Sequence, residues 1–398
     1  MSTVAEPSSF TQPGTGFTKA HDLFRESVRK FVEQEVNPFM DEWEEAEIFP
    51  AHELFKKAGD LGLLGLSYPE EYGGTGADYW YNVALAEELA LCNGGAIPMA
   101  IGVQTDMATP ALCLYGSDEL KERYLAPAIS GDAVCSIAVT EPGAGSDVAG
   151  IRTKAVREGD EYVINGSKTY ITNSVQADYL VVLCKTSPEP GYRGMSLIVV
   201  PTDTEGFSVT KKLKKMGNYA SDTGELSFDN VRVPVTHCIG QEGMGFIYQM
   251  QQFQNERLVA AAGCASKADQ IIQMTIEYTR GRETFGQPLI KNQVIYFKLT
   301  ELITEVEFLR QMCYHCVRKM EAGQDYTREA SMAKLKGGRL AREVADTCMQ
   351  FHGGMGYMEE YPLARYFRDS RLMSIGGGAD EVMLGIIAKY EGIAPGKS

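Results

Sequence analysis

From Phe17 to about Leu125, apolar residues recur three and four apart, as in LFRESVRKFVEQEV, which predicts amphipathic helices interrupted by the glycine-rich turn PEEYGGTGAD at 69–78. Between about Asp132 and Cys238 the period shortens. Runs such as VCSIAVT, YVING leading into SKTYITN, YLVVLC, MSLIVV, FSVTKK and GELSFDNVRVP are separated by turn residues and read as strands. After the turn GQEGMGF, long stretches with few breakers at 246–280, 291–322, 327–351 and 379–391 predict helices again. The expected organisation is α+β. It comprises a disordered lead-in over 1–16, a helical N-terminal domain over 17–131, a central β domain over 132–240 and a helical bundle over 241–398. Helices, then strands, then helices is not the alternation of a Rossmann fold, and no GxGxxG motif follows a strand.

Composition narrows the partners. With 398 residues, 44% hydrophobic and 23% charged, the chain has material for a large core and is not a disordered protein. Fifty-three acidic against thirty-eight basic residues, a net charge of −15, repel polyanions and argue against nucleic acid, while leaving room for a small anion held by local Arg or Lys. No apolar run approaches the roughly 18 residues of a membrane span. The first sixteen residues contain no Lys or Arg and resemble neither a signal nor a transit peptide. Together with nine Cys scattered singly, this points to a reducing cytoplasm. Cys313 and Cys316 lie on a helical pattern without a second pair and are expected to pack rather than bind metal.

Four segments carry candidate chemistry. TEPGAGSDVAG (140–150) ends a strand with three glycines and two hydroxyls, so its backbone can approach a planar or anionic ligand; a plain turn has the same composition. SKTYITN sets Tyr170 and Thr172 on one strand face, as a half-buried strand also would. In FIYQMQQFQNERLVAAAGCASKAD, angular spacing predicts an apolar stripe of Phe246, Met250, Phe253, Ala261 and Cys264 centred on Arg257. Glu256 lies on its flank, with Ala260 and Gly263 leaving a hole beside the carboxylate. A charge there is costly unless paired or used, so Glu256 and Arg257 are either an ion-pair node or a site. Finally, Gly376, Gly377 and Gly378 precede a new helix and could let a ligand touch backbone, or simply form a flexible interhelical loop.

The segments TEPGAGSD, KTYITN, SDTGELSFDNVRVP, GQEGMGF, TRGRETFG, QFHGGMGY and FRDSRL stand in the order and spacing of the acyl-CoA dehydrogenase family, which the chain resembles from about Phe17 to Ile393. The NERL helix and IGGGADEVML are similar to citronellyl-CoA dehydrogenase and to long-chain or branched-chain, isovaleryl-like relatives. The resemblance implies a helical N-terminal domain, a central β-barrel-like domain and a C-terminal four-helix bundle. It also implies FAD shared across a dimer interface and a homotetramer built as a dimer of dimers. Thr140, Ser146, Tyr170 and Thr172 would meet the flavin or pantetheine region, and Arg282, Phe285, Gln350 and Gly354 the dinucleotide of a neighbouring subunit. Ser146, Arg257 and Gly376 would line the substrate.

The family's reaction removes the α-proton of an acyl-CoA thioester and passes the β-hydrogen to flavin, giving a trans-2-enoyl-CoA. Most members are expected to carry the base in a loop like IYEGT, which reads Ile375, Gly376, Gly377, Gly378, Ala379 here. The resemblance to isovaleryl- and long-chain enzymes instead implies Glu256 as base, while Gly377 keeps a main-chain N–H for the thioester oxygen beside a flavin ribityl hydroxyl. Tyr170, Tyr219 and Ala379 depart from the common Trp, Arg and Thr. The open glycine loop suggests branched, terpenoid or longer acyl groups, with electrons passed to an electron-transferring flavoprotein. The alternatives are an acyl-CoA oxidase and a catalytically silent acyl-CoA-binding scaffold.

Overall fold

The structure is a computed structural model describing residues 15–189 and 191–394, so all but the last two residues of the expected lead-in lie outside the described residues. Helix Lys19–Phe31 opens the chain and packs on Tyr79–Leu89. Asp78 caps the second of these by accepting from Trp80 N at 3.0 Å. Buried Arg25 donates to Glu87 at 2.5 Å and to Glu88 at 3.3 Å, and Tyr314 of the C-terminal bundle donates to Glu87 at 2.9 Å. One ionic node therefore joins the first helical layer to the last.

Seven strands follow: β1 (Cys135–Ala138), β2 (Lys154–Glu158), β3 (Glu161–Thr172), β4 (Tyr179–Lys185), β5 (Met195–Pro201), β6 (Phe207–Lys212) and β7 (Thr223–Pro234). Their order is β1-β4-β2-β3-β7-β6, with β5 antiparallel on β4 and β1 parallel to it. The unbroken apolar runs of β4 and β5 are buried on both faces. Tyr179, Val181 and Leu183 enter a core shared with the helices before the sheet, while Leu180, Val182 and Cys184 enter a second core enclosed by the strands. The sheet is thus barrel-like around that inner core.

Helices Gly245–Gly281, Gln293–Glu321, Thr327–His352 and Asp380–Tyr390 form the C-terminal bundle. Cys313 and Cys316 are buried in its core, all nine cysteines are free, and no metal-ligating cluster occurs among the described residues. No helix among them is long and apolar enough to cross a membrane. The expected stripe on Gly245–Gly281 holds at Arg257, Ala261 and Cys264, which are buried, and is displaced before them. Near the start of Gly245–Gly281 the buried positions are Gln249, Gln252 and Glu256, whereas Phe246, Met250 and Phe253 are only half-buried. The reason is a tertiary tie: Gln252 accepts from Ala111 N at 3.2 Å and donates to Met107 O at 2.6 Å, turning this face toward the N-terminal helices.

Candidate active site

Glu256 projects from the long helix into a cavity of about 210 Å³ between that helix, Tyr79–Leu89, Ala96–Gly102 and the irregular turn Val103–Ala108. The turn is a π-helical segment, a departure from α-geometry that often marks functional sites. Glu256 is 5% exposed and makes no hydrogen bond or ion pair among the described residues. Burial pushes its carboxyl up to about 7, and Asp106, lining the same cavity, adds to that rise against the opposing charges of Arg257 and Lys334. Among the described residues Asp106 accepts only from Thr105 Oγ1, at 2.7 Å, and burial raises its own carboxyl to about 6.

The ion-pair reading of Glu256 and Arg257 does not hold. Adjacent positions on a helix point about 100° apart. Arg257 instead lies over the Phe253 ring at 5.9 Å, with its Nε buried and unbonded. Ala260 and Gly263 line the cavity beyond Glu256, as their lack of bulk allows.

The glycine loop meets the carboxylate from the opposite side. A Cβ built on Gly377 would lie 2.9 Å from Glu256 Oε1, and its backbone is left-handed at φ +62°. The backbone conformation favours glycine, and a side chain here would displace the end of Glu256. Gly376 faces only ordinary contact with Leu372 and has no such need. Gly377 N–H has no acceptor among the described residues, so it is free to donate. Lys334, buried in helix Thr327–His352, donates to Gly378 O and so fastens the loop.

The segment from Thr140 to Ser146 is held from below by a buried pair that sequence reasoning missed. Lys168 Nζ donates to Glu141 Oε1 at 2.9 Å, Val139 O at 2.9 Å and Leu183 O at 2.8 Å. Glu141 also accepts from Arg152 N at 2.6 Å and Thr153 N at 2.9 Å. Burial alone would raise the Glu141 carboxyl, but Lys168 and these donors hold it below its ordinary value. The alternation of β3, which would turn Lys168 inward as readily as outward, was the only signal available.

Tyr170 and Thr172 share the outer side of β3, but a bulge between Lys168 and Ile171 gives Tyr170 a φ of +61° and leaves it 68% exposed. The groups present suit a planar, phosphate-bearing cofactor. Cβ atoms at Gly143 and Gly145 would meet open space, hydroxyls stand at Thr140, Ser146 and Thr172, and Asn173 Oδ1 is buried without a partner beside them. Arg282, Phe285, Gln350 and Gly354 are exposed and do not line the Glu256 cavity. Their two segments are joined by Tyr278, which stacks on His352 and donates to its carbonyl at 3.2 Å.

A helical layer, a sheet and a bundle thus surround a carboxyl without a hydrogen-bond partner among the described residues, in a mostly apolar cavity of the kind that binds small molecules. Sequence profiles of the acyl-CoA dehydrogenase N-terminal, middle and C-terminal domains match residues 18–132, 136–231 and 243–391. The chain is 40% identical over 377 residues to the mitochondrial long-chain specific acyl-CoA dehydrogenase of Rattus norvegicus, covering 94% of this chain and 86% of that one. It is 34% identical to the mitochondrial isovaleryl-CoA dehydrogenase of Solanum tuberosum, covering 94% and 90%. The crystal structure of acyl-CoA dehydrogenase from Geobacillus kaustophilus superposes with a TM-score of 0.90 at 40% identity, covering 94% of this chain and 99% of that one. The chain therefore belongs to the acyl-CoA dehydrogenase family, flavoprotein oxidoreductases acting on CH–CH bonds.

Proposed function

We propose that the protein catalyses α,β-dehydrogenation of an acyl-CoA thioester to the trans-2-enoyl-CoA, with Glu256 as the base that takes the α-proton. One observation carries this: the Glu256 carboxyl lines the cavity, has no hydrogen-bond partner among the described residues and lies against Gly377 of the glycine loop. Gly377 N–H donates to the thioester oxygen as negative charge develops there. An elevated carboxyl near 7 matches proton abstraction near neutral pH. Thr140, Ser146, Tyr170 and Thr172 would hold the flavin end of FAD or the pantetheine, and Arg282, Phe285, Gln350 and Gly354 the dinucleotide of a neighbouring subunit; the chemistry that FAD would supply there is acceptance of the β-hydrogen as hydride. Arg257, Ser146 and Gly376 border the substrate.

A homotetramer is supported by Val294, Phe297 and Phe308, exposed along one side of helix Gln293–Glu321, and by the exposed aromatic rings of Phe285 and Tyr357. Nine free cysteines favour a reducing compartment, the cytoplasm, and an electron-transferring flavoprotein is the proposed acceptor. The space beside Gly377 is taken by Glu256 Oε1, so the reading of longer, branched or terpenoid acyl groups is supported by the small residues Ala260 and Gly263 that line the cavity beyond the carboxyl. The test is anaerobic addition of octanoyl-, palmitoyl-, isovaleryl- and citronellyl-CoA to the FAD-loaded protein. Loss of flavin absorbance supports dehydrogenation, an unchanged spectrum with every substrate leaves the silent scaffold, and peroxide formation without an acceptor reveals an oxidase.

A further inference from the structure

The floor of the cavity is one stripe of the long helix: Glu256, Val259, Ala260, Gly263 and Lys267 stand at i, i+3, i+4, i+7 and i+11. At 1.5 Å per residue this stripe runs about 16 Å from the base to Lys267. The near part is apolar, but the far end is not. Lys267 Nζ donates to Cys92 O at 2.7 Å and Gln270 Oε1 at 2.8 Å, which leaves one N–H for the cavity it lines. Asn218 also lines this end with a backbone φ of +51°; its Oδ1 is buried without a partner against Gly95, which leaves the other end of the amide toward the cavity. Its amide nitrogen has no acceptor among the described residues either. Asp369 beside it is engaged, accepting from Asn218 N at 2.6 Å and Gly95 N at 2.9 Å.

A methyl terminus arriving here would leave these groups dry and unpaired, at about 1–3 kcal/mol for each. A carboxylate would bring a second anion toward Asp369 and offers no donor to an orphaned oxygen. A hydroxyl both donates and accepts, so it pairs with the Asn218 amide whichever of its two ends faces the cavity, and with the remaining Lys267 N–H. Burial lowers the Lys267 amine to about 8, which also suits a neutral partner.

Building on the base assignment above, we propose that Lys267 and Asn218 form a terminal-hydroxyl subsite, so that the preferred substrates are long-chain ω-hydroxyacyl-CoA thioesters. An extended chain advances about 1.2 Å per bond, taking a residue's 3.3–3.6 Å over its three bonds. The roughly 16 Å stripe then spans about 13 bonds beyond the α-carbon. Tetradecanoyl and hexadecanoyl chains bracket that length.

The test measures kcat/KM of the FAD-loaded enzyme with tetradecanoyl-CoA, hexadecanoyl-CoA and their ω-hydroxy and ω-carboxy forms, in wild type, Lys267→Met and Asn218→Gly. Glycine at 218 tolerates the left-handed backbone, so that variant stays informative if Lys267→Met does not fold. The expected result is a preference of at least about tenfold for an ω-hydroxy form, lost in both variants, with turnover of the unsubstituted chains retained. Equal handling of hydroxylated and plain chains by wild type, a preference that survives in both variants, or selection of the ω-carboxy form overturns the subsite. Absence of flavin reduction with every chain would instead overturn the base assignment on which it rests.

Discussion

Glu256 and Gly377, far apart in sequence, are fitted to each other: the carboxyl oxygen occupies the space that any side chain at 377 would enter, since a Cβ there would lie 2.9 Å from Oε1. A side chain at 377 would push the carboxyl from the position it holds against the loop.

Replacing Glu256 by Gln keeps the shape and removes the proton acceptor. Turnover of a good acyl-CoA is expected to fall about 10²–10⁴-fold while bound FAD is retained. Flavin content and anaerobic single-turnover absorbance measure the two separately, and near-wild-type turnover with full FAD would sink the assignment.

Gly377→Ala places a methyl group against Oε1 and forces a left-handed alanine, a backbone cost of about 1–2 kcal/mol. Activity should drop much more than in Gly376→Ala, where the new Cβ meets Leu372 at 3.5 Å, an ordinary contact. Equal effects on kcat/KM from the two substitutions would contradict the packing described.

Because the Glu256 carboxyl is raised to about 7, kcat/KM is expected to climb with pH through a limb near 7 as the base ionises. Asp106 contributes to that elevation, so Asp106→Asn should move the limb to lower pH. The stability term has the opposite sense. The folded protein holds a proton on Glu256 that the unfolded chain releases near 4.5, so this stabilisation is complete below 4.5 and is lost as pH rises through 7. Thermal melts of Glu256→Gln should therefore gain on wild type as pH rises across that window.

Lys168→Met removes one member of a buried pair and leaves Glu141 charged without its cation. A loss of about 3–5 kcal/mol is expected, together with reduced FAD retention, because Glu141 anchors the turn that begins at Thr140. Denaturant melts and flavin content after gel filtration measure these; a variant with unchanged stability would show that the pair does not hold the loop.

Periodicity along the chain was enough for the order of layers, because a helix or strand declares itself through residues that are neighbours in sequence. The runs YLVVLC and MSLIVV announced strands, and NERLVAAAG announced a carboxylate followed by small residues on one helix. The motif order was enough for the family. Periodicity did not reveal which side of the long helix turns inward near its start, where Gln252 bonds to residues 107 and 111 and displaces the expected Phe253 stripe. Nor could it tell that Arg257 leaves Glu256 unpaired, that Lys168 lies inside the sheet, or that Lys267 and Asn218 meet at the end of one cavity. Local spacing limits the direction a side chain can take, whereas its partner is chosen by how segments distant in the chain pack together.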